Sequence, residues 1–281
     1  MSNIEILVNN GNKELLEIFR DTIIWILDLR TADCILQASD ILHTLCKLEM
    51  LLFNGSFTSH FATQLPASLN CISLQTGECS SEWLYSLFIN LCALGHHVKC
   101  EFWYFVVQSR GEDYGADAYI HGSLVRSKLV SCKMSNMEIL VINGSKELFE
   151  IFRDTSIGIL DFITADCILQ ASDILPTLSK LEMLLLWGSY TGHFAIQLPA
   201  SLQFISLETD ECSSEWLCSL LINLCALGHL SKFVLWDFVM QSRGEDAHIH
   251  GSHGRYKVMS CDMSYIKISV KNCLTYFVTQ A

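Results

Sequence analysis

The stretch Leu202–Leu227, LQFISLETDECSSEWLCSLLINLCAL, joins two hydrophobic periods end to end. In its first half Ile205 and Leu207 alternate with Phe204, Ser206 and Glu208, which is the period of a half-buried strand. Leu202, Ile205, Leu207, Asp210 and Cys212 fall at positions 1, 4, 6, 9 and 11 of that half. In the second half Leu217, Leu220, Leu221, Leu224 and Leu227 form one stripe at helical spacing. Ser213 or Ser214 can cap the helix, Glu215 sits in its first turn, and Gly228 can end it. The spacing therefore predicts a strand followed by a helix over Ser213–Leu227.

The same pattern recurs on both sides. Ile157, Leu160, Phe162, Ala165 and Cys167 repeat positions 1, 4, 6, 9 and 11, as do Ile24, Leu27, Leu29, Ala32 and Cys34, and Leu69, Ile72, Leu74, Gly77 and Cys79. Leu181, Leu184 and Leu186 begin the pattern again, followed by Ser189 and Thr191. In the second half of the chain the predicted strands are Met137–Ile142, Ile157–Phe162, Leu181–Leu186, Leu202–Leu207 and Phe233–Phe238. Helices are predicted over Lys146–Asp154 and Cys167–Leu178, the latter ended or kinked by Pro176.

A longer period contains the shorter one. The segment MEILVINGSKELFEIFRDT from Met137 restates IEILVNNGNKELLEIFRDT from Ile4. The offset of 133 residues holds without a gap to Asp113 and Asp246, with about 82 of 110 positions identical. After a four-residue difference, VSCKMS at Val130 matches MSCDMS at Met259. The expected organisation is a first copy over 1–136, a second over 137–265 and the start of a third over 266–281. The strand pattern starts at Ile4 and the third copy stops near Ala281, with no polar cap at either end. Stacked arrays need such caps, so we expect a piece of a longer array that self-associates.

A strand and a helix repeated every 20 to 30 residues or so predict an α/β leucine-rich-repeat solenoid of about ten strands. Parallel strands would line the concave face of a horseshoe and helices the convex face. Position 9 holds Ala, Gly, Ser or Asp rather than the Asn or Cys that would bond the turn backbone, so the horseshoe should be irregular. SDILPTLSKLEMLLLWGS at Ser172 and SSEWLCSLLINLCALGHLSKFVLWDF at Ser213 each run from a helix with a leucine cluster into a strand. In these segments the chain resembles the leucine-rich-repeat region of NOD-like innate immune receptors, those with NACHT and leucine-rich-repeat parts, of the NAIP-like kind. The resemblance implies a non-enzymatic protein-binding module in the cytoplasm, the ligand-sensing or autoinhibitory part of such a receptor. Its partners would be a protein ligand or other receptor domains. A ribonuclease-inhibitor-like or substrate-adaptor scaffold is the alternative. The nucleotide loop of those receptors is absent from this sequence, since Asn143–Lys146 lacks the first glycine and the length of that loop.

Composition narrows the partners. The chain has 281 residues, 51% hydrophobic and 17% charged, with a net charge of -12. Such a balance excludes a chiefly disordered chain. The acid excess argues against nucleic acid and against an anionic membrane surface. The longest uncharged runs, from Met50 to Gly77 and Met183 to Leu207, are interrupted by Gly, Gln, Pro and hydroxyls, so no membrane span is expected. Thirteen cysteines in a chain already rich in Leu, Ile and Phe are expected to be reduced, buried thiols.

Candidate chemistry is sparse. His248, His250 and His253 make a short cluster, but the first copy keeps only His121, so a solvated loop is expected and no metal site. His60 and His193 match between copies, and a hydrolase using His193 is the least favoured reading, because no paired nucleophile or carboxylate adjoins it in sequence. No cofactor motif is present. Asp28 and Asp161 sit mid-strand and point away from Leu27 and Leu29, or Leu160 and Phe162, onto the solvated face. Between copies the scaffold is kept, as at Ile24 and Ile157, Leu27 and Leu160, or Leu74 and Leu207. Outward positions change character: Trp25 and Gly158, Arg30 and Ile163, Asn54 and Trp187, Cys71 and Phe204, Gln75 and Glu208. The expected binding face comprises Asp28, Asn54, Gln75, Asp161, Trp187, Phe204 and Glu208, with Trp187 and Phe204 as exposed aromatic anchors.

Overall fold

A computed structural model describes residues 5–8, 24–58, 60–108, 125–209, 211–229, 231–236, 240–241 and 266–271. In the first copy the strands are β1 (Glu5–Val8), β2 (Ile26–Leu29), β3 (Met50–Phe57), β4 (Cys71–Ser80), β5 (Val98–Trp103) and the short β6 (Val106–Gln108). Helix α1 (Ala32–Leu42) follows β2 and α2 (Ser81–Cys92) follows β4. The second copy repeats them as β7 (Met137–Ile142), β8 (Ile159–Phe162), β9 (Met183–Trp187), β10 (Phe204–Glu208), β11 (Cys212–Ser213), β12 (Ser231–Trp236) and β13 (Met240–Gln241). Its helices are α3 (Lys146–Phe152), α4 (Ala165–Gln170) and α5 (Ser214–Ala226). Strand β14 (Ile266–Lys271) comes last.

Twelve of the strands form one sheet in chain order, β1-β2-β3-β4-β5-β7-β8-β9-β10-β12-β14, with β6 added to β4, while β11 and β13 pair in a separate two-stranded sheet. Every pairing is parallel, including β5 to β7, where the copies meet, and β12 to β14. This is an α/β fold on a parallel sheet. Such strands need a crossover after each one, and the loops and helices between them supply it.

Alternation sorts each strand into two faces. Leu27, Leu51, Ile72, Cys100, Ile139, Leu160, Leu184, Ile205 and Phe233 are successive register partners, and all are buried. Leu29, Phe53, Leu74, Phe102, Val141, Phe162, Leu186, Leu207 and Leu235 form a second buried row two residues further on. Helix residues such as Trp83, Leu87, Phe149, Trp216 and Leu220 join the same core. Burying one such side chain contributes about 1.5–3 kcal/mol. Where the copies differ inside, volume is exchanged between neighbours. Leu29 beside Phe53 in the first copy becomes Phe162 beside Leu186 in the second.

The wiring of the long loops is the same in both copies. The Phe61 N–H donates to Ser86 Oγ at 2.7 Å and Asn90 Nδ2 to the Phe61 carbonyl at 3.3 Å. Phe194, Ser219 and Asn223 repeat both bonds at 2.7 and 3.3 Å. His96 Nε2 lies 2.7 Å from the Leu69 carbonyl, and His229 Nε2 lies 2.6 Å from that of Leu202. Phe57 stacks on Trp83 with centroids 4.7 Å apart, and Tyr190 on Trp216 at 4.4 Å. These bonds satisfy loop backbone that would otherwise be buried without partners.

Three local departures have physical causes. Helix α1 runs to Leu42, whereas α4 stops at Gln170 and a 3-10 turn, Leu175–Thr177, holds Pro176. A proline ring clashes with the carbonyl four residues back, here that of Ser172, so the break lies upstream of the proline. Helix α3 ends at Phe152, and Asp154 just beyond it has φ of 63°, outside the helix expected to reach it. Strand β4 is continuous because position 9 is Gly77: a Cβ there would lie 2.0 Å from the Gly55 carbonyl oxygen. The second copy has Asp210 at that position, outside the described residues, and β10 ends at Glu208.

Candidate binding face

The sheet face turned away from the buried rows carries three further rows. Asp28, Leu52, Ser73, Glu101, Leu140, Asp161, Leu185, Ser206 and Val234 are register partners along the middle row. One row beyond, Asn54 pairs with Gln75 and Gln75 with Trp103, while Trp187 pairs with Glu208. Phe204 lies in the row on the other side, between Met183 and Lys232. All seven expected residues therefore fall on one face. They form two groups, Asp28, Asn54 and Gln75 on β2–β4, and Asp161, Trp187, Phe204 and Glu208 on β8–β10.

Exposure differs from expectation. Asp28 and Asp161 are only 5% and 4% exposed rather than solvated. Parallel strands lie about 4.8 Å apart, so the side chains of flanking strands close over a short aspartate. Trp187 and Phe204 are half-buried, not exposed, and Lys232 Nζ sits 5.3 Å above the Phe204 ring.

The two aspartates have different surroundings. Asn54 Nδ2 donates to Asp28 Oδ1 at 2.9 Å, and Arg30 Nε donates to Asp28 Oδ2 at 3.1 Å. In the second copy Ile163 and Trp187 stand in place of Arg30 and Asn54. Trp187 lies near enough to favour the charged form of Asp161, but Asp161 Oδ1 is buried without any partner. Burial pushes the Asp161 carboxyl up to about 6; the neighbouring Trp187 side chain opposes this, the Glu138 charge adds to it, Lys99 opposes it and Glu101 adds again.

Between the groups lies a charged strip at the junction of the copies. Lys99 Nζ is 3.2 Å from Glu101 Oε1 and 3.8 Å from Glu138 Oε1, and His97 Nε2 is 3.7 Å from Glu138 Oε2. Trp103 Nε1 donates to Glu101 Oε2 at 3.2 Å. Trp103 and Tyr104 are exposed. A comparison of copies does not flag Trp103, because Trp236 occupies the matching position. The usable signal was its outward place beside Gln75 in the register.

His60 and His193 are exposed, and among the described residues neither has a hydrogen-bond partner. His121, His248, His250 and His253 lie outside the described residues. Among the described residues no group of three or more His, Cys, Asp or Glu is placed to hold a metal ion, and no helix is long and apolar enough to cross a membrane. The position-11 thiols Cys34, Cys79, Cys167 and Cys212 are buried, as expected, and form no disulfide among the described residues. Burial pushes Cys212 up to about 12 and Cys79 higher still. Cys46 is instead exposed, and Cys71, Cys92, Cys132, Cys218 and Cys225 are half-buried. No protein-family model matches the chain, and no curated protein matches it significantly.

Proposed function

We propose that this chain is a leucine-rich-repeat horseshoe whose concave strand face binds a protein, as a non-enzymatic sensing or autoinhibitory module of a cytosolic innate immune receptor. The horseshoe is supported by strand starts at 26, 50, 71 and 98 that return at 159, 183, 204 and 231, all parallel neighbours in chain order. The observation that carries the binding role is the contrast between faces. The inner rows and loop bonds are kept or compensated, whereas Arg30, Asn54, Cys71 and Gln75 on the other face change charge, size or both. Half-buried Trp187 and Phe204, exposed Trp103 and the Lys99–Glu101–Glu138 strip give that face the aromatic and charged mix of a protein contact. The immune-receptor assignment rests on the sequence resemblance alone.

Titration of the chain and its Trp187→Ala variant against a candidate receptor domain or protein ligand tests the reading. Loss of the aromatic anchor should weaken binding by on the order of 2 kcal/mol with the melting temperature nearly unchanged. Undiminished binding by Trp187→Ala and by a Trp103→Ala variant would place the contact elsewhere.

A further inference from the structure

Asp161 projects from the outer face of β8 between Leu140 and Leu185, is 4% exposed, and keeps Oδ1 without any partner. A buried acceptor without a donor is costly, so a group that supplies one is held there. The first copy shows which donor fits. Asp28, at the same position and 5% exposed, accepts from Arg30 Nε at 3.1 Å and from Asn54 Nδ2 at 2.9 Å. The Arg30 side chain is 44% exposed and that of Asp28 7%, so a guanidinium reaches an aspartate of this row from the solvent side. The second copy keeps the carboxyl and lacks both donors, with Ile163 in place of Arg30 and Trp187 in place of Asn54. The surroundings favour a cation. Strands β5 and β7–β9 carry Lys99, Glu101, Glu138 and Asp161 as their charged residues, three carboxyls to one ammonium. Glu101 shares the row of Asp161, with Leu140 between them. Lys99 is engaged elsewhere, 3.2 Å from Glu101 and 3.8 Å from Glu138. Half-buried Trp187 stands two residues beyond Leu185 on the same face, with Glu208 beside it in register.

We propose that Asp161 is the seat for an arginine side chain of the protein partner, whose guanidinium takes the place that Arg30 fills in the first copy. The proposal rests on the reading of the outer face as a protein-binding surface. The Trp187 indole shifts aside and stacks on the guanidinium plane, as aromatic faces do with arginine. The guanidinium N–H groups donate to the Asp161 oxygens in a charge-assisted pair. Lysine suits the seat less well, because an ammonium is a compact, strongly hydrated charge with no planar fork and no stacking face. The two copies thus satisfy one buried carboxyl in two ways, the first from within the chain and the second from the partner.

The test titrates the full chain with the peptide acetyl-Gly-Arg-Gly-amide and its lysine and citrulline counterparts, followed by tryptophan fluorescence at low salt. A pH of about 8 keeps the Asp161 carboxyl, raised by burial to about 6, in its charged form. The arginine peptide should bind saturably and at least about tenfold more tightly than the citrulline peptide, which keeps the shape and loses the charge. Asp161→Asn should abolish that preference. Ile163→Arg, which supplies a guanidinium from within as Arg30 does, should abolish it too while raising the melting temperature. Circular dichroism of both variants checks that loss of binding is not loss of fold. Equal affinity of the parent chain for the arginine and citrulline peptides, or a preference that survives Asp161→Asn or Ile163→Arg, would overturn the seat. In that event a loss of partner binding in Trp187→Ala still upholds the face as a whole, whereas undiminished partner binding in both the Trp187→Ala and Trp103→Ala variants removes the face as well.

Discussion

Asp28 and Asp161 occupy the same position in the two copies and are equally buried, yet only the first is fully hydrogen-bonded. Asp28 accepts from Asn54 on one oxygen and from Arg30 on the other. Asp161 keeps its place between Leu140 and Leu185 with Ile163 and Trp187 around it, and one oxygen has no partner. Beneath both, the buried rows are the same in register and in packing. The comparison separates two demands on one sequence. The inner face has to be filled, and it stays constant or exchanges volume between neighbours. On the outer face the second copy tolerates a buried carboxyl that the first copy neutralises, at a cost to stability.

The largest expected effect tests the sameness of the inner face. Leu51 and Leu184 are equivalent, fully buried, and each lies between two strands of the same row. Replacing either by Ala should destabilise the protein by about 2–5 kcal/mol through lost transfer energy and a residual cavity. The two costs should agree within about 1 kcal/mol, since the spread at fixed chemistry reflects how far a site can collapse. Urea denaturation of Leu51→Ala and Leu184→Ala measures both. If Leu184→Ala were tolerated while Trp187→Ala unfolded the protein, the faces would be exchanged along β9.

A smaller effect tests the outer face of the first copy. Asn54→Leu removes the donor to Asp28 Oδ1, recreating the orphaned oxygen of the second copy. A buried acceptor left without its partner costs about 1–3 kcal/mol. The matching change in the second copy, Trp187→Leu, leaves Asp161 Oδ1 without a partner as before and should cost less by the same measurement. Equal costs would show that Arg30 alone neutralises Asp28.

The inner face was legible in the sequence because burial imposes a period. Leu27, Leu160, Leu184 and Ile205 announce themselves by spacing, and β9 and β10 lie within two residues of their predicted bounds. The capped helix at Ser213 was legible for the same reason, since Ser213 accepts from the Trp216 N–H. The state of the aspartates was not legible. Alternation places Asp28 on the outer face, but its partner Asn54 lies 26 residues away on the next strand. Whether a mid-strand carboxyl is solvated depends on side-chain heights across neighbouring strands, which no period encodes. Trp103 was missed because it does not vary between copies, and α4 ends early because the effect of Pro176 reaches back a full turn.

The smallest effect is specific to the second copy and depends on pH. Burial raises the Asp161 carboxyl from the usual aspartate value to about 6, so the folded protein binds a proton there more tightly than the unfolded chain does. A raised acid favours folding in its neutral form. That contribution is complete below about pH 4, is lost as the pH rises through 6, and stays lost above. Asp161→Asn replaces the ionising carboxyl with a neutral amide of the same shape. At pH 7 the variant should be more stable than the parent by on the order of 1–2 kcal/mol. At pH 4 the two should be equal, so denaturation at both values isolates the carboxyl from the effect of the side-chain change itself. Asp28→Asn should run the other way and destabilise at pH 7, because an amide cannot replace the carboxylate that accepts from both Asn54 and Arg30. Should both variants lose stability at pH 7, the unpartnered oxygen of Asp161 would have a partner in solution, and the contrast between the two copies would vanish.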